Sequence, residues 1–267
     1  MTLAAGFLCT DGVVVARATE RSGSAAKWTP TEIFVGSGSG YEIAVTGIGN
    51  AALIRMAADQ LLERSLEGDE DLSELWEECE RLVNRLSKKY IFCYGERDPE
   101  RPQLQLLVAA RMREQGSRLL LRSDANRIAK SDGFEVLGHG SELARSVTSW
   151  LYEPGLTVSV VARLVTHIVH WTAEHVPGCG RTTQVLCLSG AAQTPKPVHA
   201  PAEEEFFWGL NRLLQPIITG CIDERITDVQ FDDRLRWFEE RLSAVRQAGG
   251  AERRPEADSP VVSRPKL

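Results

Sequence analysis

The sequence predicts an α+β protein in which two β-sheets pack together with a pair of helices outside each. Three observations carry this. Strand-like and helix-like segments follow the order β-rich, αα, β-rich, αα, β, which lacks the strict βαβ alternation of a parallel sheet. The first two strand segments, 3–9 and 13–16, are apolar on both sides, as in a sheet covered on both faces. The helical segments carry one-sided apolar stripes at i, i+3, i+4, i+7.

The strands come first. Leu3 to Cys9 is an almost unbroken apolar run, and Asp11-Gly12 is a turn signal before Val13-Val14-Val15-Ala16. A polar loop spans Thr19 to Pro30. Strands at Glu32–Val35 and Tyr41–Thr46 are split by the turn Gly36-Ser37-Gly38-Ser39-Gly40. Two helices follow, Asn50–Arg64 with Ile54, Ala57, Ala58, Leu61 and Leu62 on one face, and Asp71–Lys89 with Leu75, Cys79, Leu82, Val83 and Leu86. The acidic stretch between Glu63 and Glu80 reads as a solvated face. Strands return at Gln103–Met112, Arg118–Arg122 and Phe134–Leu137, then helices at Ser141–Tyr152 and Thr157–Val176, then a strand at Thr183–Leu188.

After Ala191 the composition changes. Pro195 to Pro201 reads as a linker, Ala202–Leu214 and Thr227–Val245 as helices, and 247–267 as a disordered tail. The expected division is 1–195, 196–246 and 247–267. Phe231, Leu235, Phe238, Leu242 and Val245 form a 4-3-4-3 apolar seam, which docks on its own domain or on a neighbouring subunit. The terminal Pro-Lys-Leu matches a peroxisomal signal poorly.

Composition excludes several classes. The 267 residues are 43% hydrophobic and 25% charged, an ordinary globular balance for one large domain or two small ones. A net charge of −6 gives no broad basic surface, so no nucleic-acid partner is expected. No apolar run reaches the roughly 18 residues of a membrane span, and MTLAAGFLCTDG lacks the basic start of a signal peptide. The six cysteines, Cys9, Cys79, Cys93, Cys179, Cys187 and Cys221, include no CxxC pair. They read as reduced thiols of a cytoplasmic protein with no metal. His167, His170 and His175 lack the carboxylate or thiol company of a metal site, and no cofactor is expected.

Two motifs bear on chemistry. Gly47-Ile48-Gly49-Asn50-Ala51-Ala52 fits G-x-G-x-x-A between a strand and a helix, the arrangement of a dinucleotide phosphate loop. Its context fails, because Glu67-Gly68-Asp69-Glu70-Asp71 has no apolar strand before the acids. Nucleotide binding is therefore a subordinate alternative. The preferred reading is a tight turn where a peptide backbone approaches Gly47 and Gly49. The second motif is Thr2. Removal of Met1 leaves a residue that carries nucleophile and base together, because its hydroxyl attacks and its free α-amine takes the proton.

The surroundings of Thr2 resemble the start of proteasome β subunits and their bacterial relative HslV. The resemblance rests on Thr2-Leu3-Ala4-Ala5-Gly6-Phe7, Asp11 to Ala16, Tyr41 to Gly49, Gly138-His139-Gly140-Ser141 and Cys179-Gly180, and covers about residues 2–190. It implies the four-layer αββα sandwich of N-terminal nucleophile (Ntn) hydrolases and assembly into a ring-type homo- or hetero-oligomer; the tail beyond about Pro195 has no counterpart in that pattern and is expected as a C-terminal helical extension. It also exposes departures. Where the family places an Asp, Ala18 stands. Where it places a Lys beside the nucleophile, Glu32 or its neighbour Thr31 stands. The turn serine is His139, and later positions fall near Val176 and Cys179. A glutamate near the amine holds it as ammonium and repels an oxyanion, the reverse of a lysine.

The expected function is thus an inactive or weakly active structural or partner-binding subunit. The alternative is an active threonine peptidase or amidohydrolase in which Lys27 or Arg17 supplies the cation and His139 a base. Otherwise Lys27, Arg17 and Glu20 are exposed loop charges.

Overall fold

The computed structural model describes residues 3–19, 33–37, 40–67, 71–124, 127–180, 182–189 and 227–251. The chain divides into two compact units, Met1–Ala200 and Pro201–Leu267.

In the first unit the described elements run β1 (Leu3–Cys9), β2 (Gly12–Thr19), β3 (Phe34–Ser37), β4 (Tyr41–Gly49), α1 (Ala51–Glu67), α2 (Leu72–Tyr90), β5 (Leu104–Met112), β6 (Arg118–Asp124), β7 (Arg127–Lys130), β8 (Phe134–Gly138), α3 (Ser141–Leu151), α4 (Val158–His175) and β9 (Thr182–Leu188). The strands form two sheets, of order β8-β1-β2-β9 and β3-β4-β5-β6-β7, and every pairing is antiparallel.

Three apolar clusters account for the core. The first joins Tyr41, Ile43, Val45, Leu106 and Val108 of the second sheet to Ile54, Ala57 and Leu61 of α1 and Leu75, Cys79 and Leu82 of α2. The second joins Leu3, Ala5, Phe7, Val14 and Ala16 of the first sheet to Ala144 of α3 and Val161, Val165 and Ile168 of α4. The third draws on both sheets: Ala4, Val13, Val15, Leu137 and Leu186 from one, Ala44, Leu107, Ala109 and Leu120 from the other. The two-residue alternation of the strands explains this division, since odd and even positions face opposite sides. At Gly6 the approach is so close that a Cβ would sit 2.7 Å from Leu120 Cδ1 and 3.0 Å from Leu107 Cδ2.

Polar side chains fix the joints. Asp71 Oδ1 accepts from Ser73 N at 2.7 Å and Glu74 N at 3.1 Å, capping α2. Asp11 Oδ1, in the β1–β2 turn, accepts from Val158 N at 2.7 Å and so ties that hairpin to the start of α4.

Several expectations shift. The glycine-serine turn begins later than its composition indicates, because Gly36 and Ser37 belong to β3. Tyr41–Thr46 runs on to Gly49, since β5 pairs with it as far as Gly49↔Leu104. The short strand β7 is mostly exposed and has no apolar alternation to announce it.

In the second unit, α5 spans Asp228–Ala251. Phe231, Leu235, Phe238 and Leu242 are half-buried, while Trp237 is exposed. The helix takes in 247–251 of the stretch read as a disordered tail. The expected linker at 195–201, the helix at 202–214, and 252–267 lie outside the described residues.

Candidate functional site

The site is built at one end of the two sheets. Leu3, the first described residue, pairs with Ala18 of β2 on one side and Gly138 of β8 on the other. Next to Gly138 opens a cleft of about 610 Å³. One wall is Val136, Leu137, Gly138 and His139 with Ser141, Glu142 and Arg145 of α3. The other is Ile48 and Gly49 with Gln103, Gln105 and Arg122.

One step inward from Leu3, Ala4 pairs with Arg17 of β2. Arg17 follows Val13 and Val15 in the alternation that faces the second sheet. Its side chain is 2% exposed, and Nη1 donates to Thr46 Oγ1 of β4 at 3.1 Å. Among the described residues its Nε has no hydrogen-bond partner. Burial pulls its pKa down to about 10, so the guanidinium remains charged at neutral pH. The reading of Arg17 as an exposed loop charge is therefore corrected. It lies within a strand, and its parity turns it inward.

His139 follows the end of β8. Its Nε2 lies 3.0 Å from Pro177 O. A carbonyl only accepts, so Nε2 carries the proton of that bond, and in the neutral ring Nδ1 is the acceptor. The two arginines of the cleft are ion-paired. Arg122 reaches Asp124 at 3.3 Å and Glu135 at 3.6 Å. Arg145 reaches Glu135 at 3.4 Å and also donates to Val136 O at 2.9 Å.

Of the expected site residues, Gly49 and His139 line the same cleft. Gly47 does not. A Cβ there would meet Gln105 O at 2.5 Å and Ile54 Cγ1 at 3.2 Å, so this glycine lets β4 pack closely on β5 and α1. Gly49 has φ +113° and faces Gln103 O, where a Cβ would sit at 2.1 Å. Thr2, Lys27, Glu20, Thr31 and Glu32 lie outside the described residues. Sequence reading missed Arg122, Arg145 and Gln105 as cleft residues. The inward period-2 pattern Val13, Val15, Arg17 was the signal that could have placed Arg17.

The nucleotide alternative is corrected. β4 is antiparallel to both its neighbours, so no βαβ unit exists around the glycines. Asn50 Oδ1 accepts from Ala52 N at 3.0 Å and Leu53 N at 3.1 Å, occupying donors that would face a phosphate.

No family model and no curated protein matches the sequence. Solved structures do match. Anbu (ancestral beta-subunit) from Yersinia bercovieri superposes with TM-score 0.64 at 11% identity, covering 81% of this chain and 97% of that one. The fold is Anbu-like. An Anbu (Gly-1) mutant from Hyphomicrobium sp. strain MC1 gives TM-score 0.63 at 10% identity, covering 82% of this chain and 97% of that chain. A helical assembly of the Anbu complex from Pseudomonas aeruginosa gives 0.61 at 12% identity, covering 81% and 95%.

These matches correct the family assignment made from sequence. The fold is similar to that of Anbu proteins at 10–12% identity, which does not place the chain with proteasome β subunits or HslV. The motifs that carried the resemblance are short apolar strands and glycine turns. Their residue types are set by strand burial and close backbone approach, at Gly12 and Gly140 for example, and so they do not separate one relative of a fold from another.

Proposed function

We propose that this chain is a proteasome-related subunit of a self-associating particle, with a peptide-binding cleft beside its N-terminus and weak hydrolytic power at most. The observation that carries this is the extent of the Anbu likeness, which spans 97% of the Yersinia chain. The three apolar clusters support a finer description, a four-layer αββα sandwich of the Ntn-hydrolase type. Assembly of a structural neighbour into a helical complex supports self-association here. So does Trp150, 86% exposed on α3, with Leu151 and Val160 also exposed. A head-to-tail contact between copies closes into a ring or runs on as an open helix, depending on its rotation.

Weak hydrolysis follows from the helper positions. Ala18, beside Leu3, offers no carboxylate, and Glu32 brings a negative charge to the sequence position expected to carry a positive one. The second reading, an active N-terminal threonine amidohydrolase, is favoured by one observation: the buried cation Arg17 stands in register with Ala4, two residues from Thr2 in the chain. His139, with Nδ1 open as an acceptor, is its candidate base, and Gly49 lines the substrate side of the cleft.

Intact-mass analysis followed by a threonine-directed covalent inhibitor separates the readings. Retained Met1 eliminates both weak and strong hydrolysis. Rapid stoichiometric modification of Thr2 overturns the weakly active reading, and slow or partial modification agrees with it.

A further inference from the structure

We propose that the end of the two sheets away from Leu3 carries a second binding site, for a monocarboxylate with an apolar body, held by Arg118 and Lys130. The site uses neither Thr2 nor the cleft beside Gly138.

The argument begins with one face of one strand. Arg118, Leu120 and Arg122 alternate on the side of β6 toward the first sheet, where Leu120 joins the cluster that both sheets share. Arg122, in the cleft beside Gly138, is compensated by Asp124 and Glu135. Arg118, about 13 Å away along the strand, forms no ion pair among the described residues. Its register partner on β5 is a second arginine, Arg111, and both side chains are half-buried. Like charges directly opposite each other destabilise an antiparallel pair. Arg111 has Nε and Nη1 buried with no hydrogen-bond partner among the described residues. Glu42, in register with Arg111 on β4, leaves its own Oε2 without one. An anion at Arg118 relieves this pair.

Space and chemistry then select the anion. Arg118 and Lys130 line a cleft of about 680 Å³, within the range of small-molecule sites. Leu8, Leu72, Trp76, Leu119 and Pro154 supply its apolar walls, and Trp76 is 37% exposed. Two of its three hydroxyls are engaged. That of Tyr152 is shared between Leu8 O and Gly133 O, and that of Ser73 donates to Asp71 Oδ1. The donors left are the guanidinium of Arg118, the ammonium of Lys130 and the Ser117 hydroxyl. The polar end of a ligand is therefore an anion, and a planar carboxylate matches the guanidinium fork. Asp132 in the lining, Asp71 before α2 and Glu42 beside Arg111 oppose a second negative charge. One carboxylate on an apolar body is what the cleft accommodates.

The test titrates the full chain with 2-naphthoate, read by ligand-observed saturation-transfer NMR. The expected Kd is about 1 mM or tighter. 2-Naphthamide, which has the body without the charge, and acetate, which has the charge without the body, are each expected to bind at least about tenfold more weakly. Arg118→Met should weaken naphthoate binding at least about tenfold, and Arg118→Lys by less. Arg127→Met removes the same charge at the other end of β7 from Lys130 and should leave the Kd within about twofold. No naphthoate binding at about 10 mM overturns the proposal. So does an equal affinity for the amide or for acetate, which needs no variant. So do an unchanged Kd in an Arg118→Met chain folded by circular dichroism, and an equal loss in Arg127→Met, which would assign the binding to general surface charge.

Discussion

Arg17 and Thr46 stand on different sheets and meet through a single hydrogen bond, Nη1 to Oγ1 at 3.1 Å, in a place where the arginine is almost wholly buried. Removing the hydroxyl leaves a buried charge without its described acceptor, whereas removing the charge leaves a neutral hydroxyl. Thr46→Val is therefore expected to destabilise by about 1–3 kcal/mol in urea unfolding, and Arg17→Met by less. The Thr46→Val cost should shrink toward zero in the Arg17→Met background. Simple additivity in this double-mutant cycle would show that the two side chains do not depend on each other.

Gly49 is held by its backbone as well as by space. Its φ of +113° and the position of Gln103 O, 2.1 Å from an ideal Cβ, both oppose a side chain. Gly49→Ala is expected to cost about 2–4 kcal/mol. Gly155→Ala, which meets nothing within 4 Å, should stay within about 0.5 kcal/mol of wild type. Equal melting temperatures for the two variants would contradict the strain at Gly49.

Asn50 caps α1 through Ala52 N and Leu53 N. Asn50→Ala should lose about 1 kcal/mol. Millimolar NAD or ATP should leave the melting temperature of the wild-type chain unchanged. A ligand-dependent rise would reinstate the dinucleotide reading of the glycines.

Buried His167 has its pKa lowered to about 4, by desolvation first and by the nearby charge of His170 second. The folded protein then binds this proton only below about pH 4, while the unfolded chain binds it below about 6.5. Stability is therefore full above the unfolded value and falls as pH drops from about 6.5 to 4, by up to about 3 kcal/mol. His167→Leu should flatten that part of the pH profile of urea unfolding. An unchanged slope would assign the acid sensitivity to other groups.

Much of the fold was legible because burial imposes period. The unbroken apolar run Leu3–Cys9 named a strand covered on both faces, and the stripe Leu75, Cys79, Leu82, Leu86 named a helix and its inward face. β7 was not legible, because Arg127–Lys130 buries too little to be patterned and forms by pairing with β6. The site was half legible. Gly49 and His139 fall in one cleft, but Gly47, which shares a motif with Gly49, is closed in by Gln105, Leu106 and Ile54 and does not line it. Arg17 was misjudged because a charge at the end of an apolar run reads as the start of a loop. The alternation Val13, Val15, Arg17 pointed inward, and the register with Ala4 and the bond to Thr46 place it there.

The mass of the full chain in solution tests the central proposal, a self-associating subunit of Anbu-like fold, most directly. Sedimentation equilibrium at micromolar concentration is expected to give a multiple of the 29.5 kDa chain, with Trp150→Ser shifting it toward smaller species. A single component of one chain mass, unchanged by that substitution and by raised concentration, would contradict it.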